Sequence, residues 1–581
     1  MPELSKFTSK DGKVLRTRVP GGYSFINTLT KGGTFARTNN VVLVGGARSG
    51  NPYELMWFRD LTSAQAILHS GELVEALNLA LNPGDNMVPE RIGVMRADSA
   101  LAASRTFNAG GSPIWDMTAT QAGTLGNAIT SSLATGTVAG TKKITIQQNG
   151  IDVSNSPFDN ISDPRFTVTY TGEGTTKTIS VDFEKITITI DGSPTVINYK
   201  DFSKVQGIIS YIDGLVDLSC VTVASNNDIS PIDTDGYGIF DWLDNANLST
   251  AVVVTANVRA IFNKINIGQS DVIMTYHTGF SGNRKMANND TNWVYLSGGS
   301  NGTLSTTEWG KALTALEKED VQIIVPISAS EGIHAMFQTH CEKMSDITGK
   351  NERMCLVGGD WGESNTDCIT RVVSYNSAFV MNIYPGGQTL NSMGMIVNVP
   401  AYMLAAQVSG AVAALDFNEP LTWKRLKLIS LERTHTRAEY ENLLEKGICS
   451  LFIDSGGNFA IMRQLTTYQG DDIIKNEWSL WRGALMVTKD MREFTENRER
   501  STGRKGTNRV YTALRQDILN RMKSYVIMGW LAESLDGKQP SYQLNNFTIT
   551  ADKIYIDWTG LLVAPINFEF IQNNFTVIGA V

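Results

Sequence analysis

The chain has 581 residues, enough for about four domains at roughly 150 residues each. Hydrophobic residues make up 42% and charged residues 19%, a composition that excludes intrinsic disorder for most of the chain. Fifty basic and 58 acidic side chains give a formal charge of −8. This acidic balance argues against a protein that coats nucleic acid.

Cysteine use and the polar N-terminus indicate a protein that folds under reducing, cytoplasm-like conditions. The five cysteines are scattered, odd in number and contain no CxxC pair. The sequence MPELSKFTSKDGK lacks the basic start and apolar run of a signal peptide. The longest apolar candidate, residues 401–415, contains Gln407 and Ser409 and is too short to span a bilayer. We expect no membrane insertion.

Residues 1–37 are predicted to be an extended arm, because their apolar patch (Tyr23, Phe25 and Ile26) is too small to offset the ordering entropy of a domain. Residues 38–105 predict an α/β core part. VVLVGG (41–46) is typical of a buried strand, residues 63–81 have helical spacing, and RIGVM (91–95) indicates a second strand.

Residues 106–295 are predicted to form one or two inserted β-rich domains. The segments KITIQQ, FTVTY, KTISVDF and KITITIDG alternate apolar and polar residues and are separated by Gly, Asp and Asn turns. This period of two is typical of antiparallel strands with one solvated face.

Residues 296–545 predict a second α/β core part. Ser305 and Glu308 have the spacing of a capping box that opens a helix. Apolar strands such as VQIIVPI and RMCLVGG alternate with helices, and a helix rich in small residues follows Pro400. The whole pattern predicts an α/β (α+β) multidomain protein whose core contains a mixed sheet with covered faces.

Residues 546–581 alternate again and predict C-terminal strands and a second arm. The apolar residues expected on shared strand faces are Ile554, Ile556, Trp558, Ile566, Phe568 and Phe570. The segment closes on the apolar NFTVIGAV, and an exposed strand of this kind needs a partner to avoid aggregation.

A catalytic function finds little support in the motifs. GGSNG (298–302) matches the G-x-S-x-G pattern of α/β hydrolases, but the predicted helix starts about five residues after Ser300, not at it. His334, His340 and His435 follow, and no acid is paired with any of them. The alternative that remains open is an α/β hydrolase-like enzyme with an inserted β domain.

Cofactor and metal sites are not expected either. VVLVGGARSG lacks the GK[ST] of a phosphate-binding loop. The His, Cys and Asp residues between 334 and 368 match no zinc spacing. We therefore predict no catalytic residue, no cofactor and no metal.

One segment has an unusual charge. Residues 491–523 carry nine basic and four acidic side chains, a local charge of +5 in an acidic protein. The segment is either a solvated helix face or a patch that binds an acidic protein surface.

The order and spacing of three segments resemble the contractile tail sheath proteins of long-tailed bacteriophages. They are residues 41–98 (from VVLVGG to RIGVMRAD, including Arg96), LSGGSNGT before the helix at Thr306, and VPAYMLAAQVSGAVAALDFNEPLTWKRL. The resemblance covers residues 38–105 and 296–581; the inserted region has no counterpart that we recognise.

The resemblance implies a non-enzymatic virion protein that assembles in the host cytoplasm. Its partners would be further copies of itself, in a helical array joined through both arms, together with the tail tube, baseplate and tail terminator proteins. Contraction of the array would drive the tube through the host envelope. The residues implied to face the tube are Arg498, Arg500, Arg504, Lys505 and Arg509, and the β-rich insert would project outward. Another self-assembling shell or tube protein is a third possibility.

Overall fold

The structure is a computed structural model that describes most of the chain. The described residues are 5–8, 14–17, 39–84, 86–268, 271–496, 506–534, 537, 539–550, 553–567 and 572, the first two ranges by backbone alone. The chain forms two compact units. The first unit comprises Met1–Val42, Asn82–Glu90 and Glu319–Val581, and the second comprises Leu43–Leu81 and Arg91–Lys318. The domain boundaries at residues 37, 105, 295 and 545 stay predictions.

The N-terminal elements are strands β1 (Ser5–Thr8), β2 (Val14–Thr17), β3 (Val41–Gly45), β4 (Leu55–Phe58) and β5 (Ile92–Arg96), and helices α1 (Leu61–Leu68) and α2 (Glu72–Leu81). The helical spacing of residues 63–81 is divided between these two helices. Gly71 separates α1 from α2 with φ +122°, a conformation that only glycine adopts readily. A Cβ at this position would lie 3.1 Å from the Cα of Ala47.

The rest of the second unit is rich in strands. They are β6 (Ser104–Ala109), β7 (Ser112–Ala119), β8 (Ile129–Thr135), β9 (Lys142–Gln148), β10 (Ile151–Asp152), β11 (Phe158–Ile161), β12 (Pro164–Tyr170), β13 (Lys177–Val181), β14 (Lys185–Ile190), β15 (Ser193–Asn198), β16 (Leu218–Thr222), β17 (Leu243–Asn247), β18 (Val252–Thr255), β19 (Val272–Tyr276) and β20 (Asp290–Tyr295). The helices are α3 (Val205–Asp213), α4 (Asn257–Gly268) and α5 (Thr306–Leu316).

These strands enclose two separate hydrophobic cores. One core has Trp115, Ile144 and Phe262 among its buried residues, and β6–β11, β19 and β20 surround it. The other, with Phe166 and Ile188, lies between the sheets β16-β12-β18 and β15-β14-β13-β17. We call the first domain A (residues 104–161 and 257–296) and the second domain B (164–255). Domain B is thus inserted within domain A.

Buried polar contacts join the two domains where the chain passes between them. Asp241 of domain B accepts hydrogen bonds from the backbone N–H groups of Asn257 and Val258 at 2.8 and 3.0 Å. It therefore caps α4 of domain A. Arg284 of domain A is 1% exposed and binds the Asp235 carboxylate of domain B at 2.8 Å. These contacts tie domain B to domain A at their junction.

Helix α5 begins as predicted, but only half of its capping box forms. The Ser305 hydroxyl accepts from the Glu308 N–H at 3.4 Å. The Glu308 carboxylate does not return to Ser305; it accepts from the Tyr53 hydroxyl and pairs with Lys311. A partner distant in sequence therefore replaces the local one.

The first unit contains the remaining elements. Its strands are β21 (Ile323–Pro326), β22 (Met354–Gly358), β23 (Val380–Tyr384), β24 (Gly387–Leu390), β25 (Ile396–Val399), β26 (Ser430–Leu431), β27 (Ile448–Ile453), β28 (Phe459–Ile461), β29 (Tyr542–Thr550) and β30 (Lys553–Gly560). Its helices are α6 (Glu331–Ser345), α7 (Asn365–Tyr375), α8 (Ala401–Ala414), α9 (Arg437–Glu445), α10 (Ile473–Asn476), α11 (Trp478–Glu496) and α12 (Asn508–Ile527).

A largely parallel group of strands organises the first unit. The order is β28-β27-β23-β22-β21, with parallel pairs from β21 to β27 and β28 antiparallel at the end. The small-residue helix α8 packs on this group at close range, since a Cβ at Gly358 would lie 2.3 Å from the backbone of Ala401. The predicted mixed α/β multidomain fold is confirmed.

Candidate assembly interface

Two strands at the C-terminal end, β29 and β30, form an antiparallel hairpin with one half-buried face. Ile554, Ile556 and Trp558 alternate with exposed residues along β30. Opposite Ile556 and Trp558 lie Phe547 and Leu544 of β29. These apolar pairs give the hairpin one face that packs and one face that is open to solvent.

The hairpin packs against α12 and the turn that follows it. The ring of Trp558 lies 6.4 Å from that of Tyr525, which stacks on Trp530 at 5.5 Å. The N–H of Ala532 donates to the carbonyl of Leu561 at 2.7 Å. Within the described residues, the hairpin is thus attached to the unit by one apolar face and by backbone contacts just after β30.

Within the described residues, neither β29 nor β30 pairs with a third strand, and β1 and β2 likewise form a pair of their own. A two-stranded sheet presents backbone N–H and C=O groups along both outer edges, where an added strand can bind. Of the predicted arm residues, Ile566 is 83% exposed and lies outside the two strands. Tyr23, Phe25, Ile26, Phe568 and Phe570 lie outside the described residues.

Two arginines of the basic segment 491–523 bind carboxylates inside the first unit. Arg492 binds the buried Glu352 through two guanidinium nitrogens. Arg521 binds both carboxylate oxygens of Asp490 at 2.6 and 2.8 Å, with side-chain exposures of 4% and 1%. These arginines fix α11 and α12 in place and are not available to another protein.

Three basic residues of α12, namely Arg509, Arg515 and Lys523, are exposed. Among the described residues no ion pair forms at any of the three. Four further tube-facing candidates, Arg498, Arg500, Arg504 and Lys505, lie outside the described residues. Only Arg509 among the five candidates can therefore be placed, and it lies on the surface.

The charged residues of α11 that precede Met491 were not predicted from the sequence. Lys489 is 2% exposed and pairs with Asp320. Arg482 binds the side-chain oxygen of Asn39 at 2.8 Å, and burial lowers its pKa to about 9. The sequence contained one indication of this, because these charged residues lie among the apolar positions of the helix. Charged side chains at such positions are usually buried and paired.

The serine of the G-x-S-x-G match has no nucleophile geometry. Ser300 exchanges backbone hydrogen bonds with Leu101 at 3.0 Å in both directions, and α5 starts only at Thr306. His334 is buried, donates from Nε2 to the Ser328 carbonyl at 2.7 Å and accepts from the Tyr375 hydroxyl at 2.8 Å. Its two nitrogens are therefore both occupied by structural contacts.

Three further features of the described residues concern metal binding, membranes and thiols. No group of His, Cys, Asp and Glu there could hold a metal ion. Among the described helices, none combines the length and apolar character needed to cross a membrane. All five cysteines are free and buried, and burial raises the pKa of Cys449 to about 12. A reactive thiolate is not formed at that position.

Comparison with known proteins identifies a family for the central part of the chain. Residues 302–467 match the phage tail sheath protein central domain. A tail sheath protein of Bacillus phage SP01 is 26% identical over 96% of this chain and 95% of its own length. A tail sheath protein of Staphylococcus phage Twort is 25% identical, over 77% of this chain and 80% of its own. The first alignment includes most of residues 106–295, which the sequence resemblance had left unmatched.

Solved structures show the same fold. The sheath tail protein from Desulfitobacterium hafniense superposes with a TM-score of 0.51 at 13% identity, covering 93% of this chain and 99% of its own. The one from Listeria innocua gives 0.52 at 13% identity, covering 91% and 96%. The resemblance to tail sheath proteins is thus confirmed, and the hydrolase alternative is not supported.

Proposed function

We propose that this chain is a phage tail sheath protein, which polymerises helically around a tail tube and contracts to drive that tube through the host envelope. The observation that carries the proposal is the alignment with a tail sheath protein over 96% of this chain and 95% of the relative. The likeness thus extends through the inserted domains, and is not confined to a shared central motif. A subunit whose contacts repeat without closing builds a helix instead of a ring.

The C-terminal hairpin supports linkage of subunits by strand addition. β29 and β30 leave both edges of their sheet without a described partner strand, and β1 with β2 offers a similar two-stranded element at the other end. We propose that arm residues, among them Tyr23, Phe25 and Phe570, add strands to such edges in neighbouring copies. Backbone hydrogen bonds then supply affinity, and alternate side chains supply specificity.

The exposed basic residues of the C-terminal region support contact with an acidic tail tube. Arg509, Arg515 and Lys523 are exposed on α12, and Arg498, Arg500, Arg504 and Lys505 immediately precede it in sequence. Exposed ion pairs contribute about 0–1 kcal/mol each. Many weak pairs can therefore hold the sheath on the tube and still break during contraction.

The remaining parts of the proposal concern partners, activity and location. The sheath would also contact the baseplate and a tail terminator, assemble in the host cytoplasm and remain in the virion. Domains A and B would project away from the tube. The energy for contraction would be stored in contacts between subunits, so the chain would need no nucleotide and have no catalytic activity.

Electron microscopy of the purified full-length chain, with and without the tail tube of the same phage, tests the proposal. We expect hollow helical tubes, or a helical layer that coats the added tube. Deleting residues 546–581 should abolish both. A chain that stays monomeric over the whole concentration series and leaves the added tube bare would contradict the proposed function.

A further inference from the structure

The hairpin formed by β24 and β25 carries exposed apolar residues at its tip. Leu390 of β24 pairs with Ile396 of β25, and Met393 and Met395 lie between the two strands. The exposed fractions are 45% for Leu390, 61% for Ile396, 75% for Met393 and 53% for Met395. Four such side chains expose on the order of a few hundred Å² of apolar surface, the size of the largest patch on a typical monomer, which is often functional. We call these four residues the apolar tip.

The turn that carries the two methionines is held by hydrogen bonds to one residue. Oδ1 of Asn391 accepts from the backbone N–H groups of Met393 at 3.0 Å and Met395 at 2.9 Å. The N–H of Asn391 donates to the carbonyl of Met395 at 2.9 Å, and its carbonyl accepts from the N–H of Gly394 at 3.0 Å. Gly394 has φ +76°, and a Cβ added there would meet no atom within 4 Å. The turn is thus fixed in shape and faces open space, so a partner that binds it has little chain to order.

The hairpin and the elements beside it in sequence are uncharged. Residues 372–415 contain no Asp, Glu, Lys, Arg or His, so an acidic surface gains no attraction from this contact. A lipid surface is disfavoured too, since segments that bind the membrane interface carry Lys, Arg or aromatic residues, and residues 387–399 have none of these. The chemistry that fits the apolar tip is an uncharged, apolar protein surface.

The size of the apolar tip indicates what kind of partner carries that surface. A stable pair of proteins buries about 800 Å² on each partner, which is more than the tip supplies. A contact of this size holds where other contacts link the same molecules, because linked sites meet at a high effective concentration. An array of identical chains joined at several places meets this condition. Methionine suits such a contact, since its unbranched side chain adapts to the surface that it meets.

We propose that the apolar tip docks on an apolar surface of a second copy of this chain. The contact is heterologous, with the tip of one copy on a different surface of the next, as a helical array requires. This inference rests on the proposed function, in which copies of the chain form such an array. It adds a contact within residues 302–467, the part that matches the sheath central domain, to those proposed for the arms.

Photo-crosslinking identifies the partner. The photoreactive residue p-benzoylphenylalanine is placed at position 393 of the full-length chain and, as a control, at position 347, where Ile347 is 88% exposed. Sheaths assembled on the tube are then irradiated. We expect at least about fivefold more chain–chain product from position 393, because a residue in the core of an interface lies against its partner. Products with the tube alone, or equal yields at the two positions, would overturn the proposal.

Substitution of the two methionines tests whether the contact drives assembly. Met393→Gln with Met395→Gln keeps unbranched side chains and the backbone hydrogen bonds to Asn391. The melting temperature should stay within about 2 °C of wild type, since both side chains are exposed. The concentration needed for assembly on the tube should rise at least about tenfold, because two apolar side chains are no longer removed from water.

Two matched variants control for this result. Met393→Leu with Met395→Leu keeps the tip apolar, and Ile347→Gln makes the same kind of change at an exposed position elsewhere in the first unit. Both should assemble like wild type. Loss of assembly in the glutamine variant that the leucine variant does not share would support docking through an apolar surface. Normal assembly of the glutamine variant would overturn it.

Failure of the tip contact and failure of the proposed function give different results. Wild-type sheaths together with normal assembly of the glutamine variant would leave the function intact and remove the apolar tip from the array. If the wild-type chain forms no sheath with its tube, the proposed function fails, and the crosslinking is carried out on the concentrated chain alone. Chain–chain products specific to position 393 would then support the docking contact, and their absence would overturn it.

Discussion

Arg521 of α12 and Asp490 of α11 form a bidentate ion pair in the interior of the first unit, with N–O distances of 2.6 and 2.8 Å. The hydroxyl of Tyr525 donates to the same carboxylate at 2.6 Å, and burial raises the pKa of that tyrosine. The hairpin β29–β30 packs on this part of α12 through Trp558. The pair therefore supports the part of α12 on which the hairpin β29–β30 packs.

Arg521→Met should destabilise the packing of α12 on α11 by about 3–5 kcal/mol, because Asp490 would keep a buried charge without its main partner. The opening free energy of α12, measured by native-state hydrogen exchange, would report this. Arg515→Met on the exposed face of the same helix removes an identical charge and should cost less than about 0.5 kcal/mol. Equal effects of the two substitutions would contradict the structural role of the pair.

Helices and strands could be predicted from the sequence more readily than contacts between side chains that are distant in sequence. VVLVGG and RIGVM are buried strands, as predicted, because an apolar run flanked by turns carries its own signal. The +5 charge of residues 491–523 did not reveal that Arg492 pairs with Glu352, 140 residues earlier. Net charge counts side chains and contains no information about which of them pair across the fold.

The break between α1 and α2 shows a second limit of the sequence pattern. Apolar spacing continues from Ser63 to Leu81, so periodicity alone predicts one helix. The break begins at His69, which caps α1 with φ +62°, and continues to Gly71, whose φ of +122° and close approach to Ala47 depend on the fold. Helical periodicity tolerates an isolated glycine, and only the fold decides whether that glycine is a helix residue or a turn.

Gly71→Ala should therefore destabilise the second unit by about 2–3 kcal/mol, since backbone strain and the contact with Ala47 add together. Gly110→Ala is the matched control. Gly110 has φ +57°, and a Cβ added there would meet no atom within 4 Å, so the substitution should cost about 1 kcal/mol from strain alone. Thermal unfolding of both variants measures the difference, and equal melting temperatures would contradict the role of the close approach.

His334 predicts a pH dependence of stability. Burial lowers its pKa to about 4, from about 6.5 in an unfolded chain. Between about pH 6.5 and about pH 4 the unfolded chain binds a proton at this histidine and the folded chain does not. The contribution of His334 to the free energy of unfolding is therefore fully present above about pH 6.5 and is lost as the pH drops towards about 4. The loss from this residue should be about 2 kcal/mol at about pH 5.

The variant His334→Gln tests this, because a glutamine amide can still donate to the Ser328 carbonyl and does not titrate. Urea unfolding of wild type and variant at about pH 7 and about pH 5 gives the comparison. The variant should lose about 2 kcal/mol less than the wild type over this interval. An equal loss in both would show that His334 does not set the acid sensitivity.

The tube contact predicts a charge-specific defect in assembly. The triple variant Arg498→Glu, Arg504→Glu and Arg509→Glu should coat an added tube at least about tenfold less efficiently, since repulsion replaces several weak attractions. A matched control reverses three exposed lysines of domains A and B and changes the net charge equally. These are Lys200, Lys204 and Lys264. Sedimentation with the tube at about 0.1 M salt measures coating. Normal coating by the first variant would remove the basic segment from the interface.

The arm beyond Asn567 should be dispensable for the fold and necessary for the array. Deleting residues 568–581 leaves the hairpin, its packing on Tyr525 and the Glu477 contact of Asn567 in place. The melting temperature should therefore stay within about 2 °C of wild type. Assembly on the tube should fail, because the edges of β29 and β30 would lack the strand that a neighbouring copy supplies. Electron microscopy and thermal unfolding of the same preparation separate the two effects: a stable chain that still forms sheaths would show that subunits are linked by contacts other than this arm.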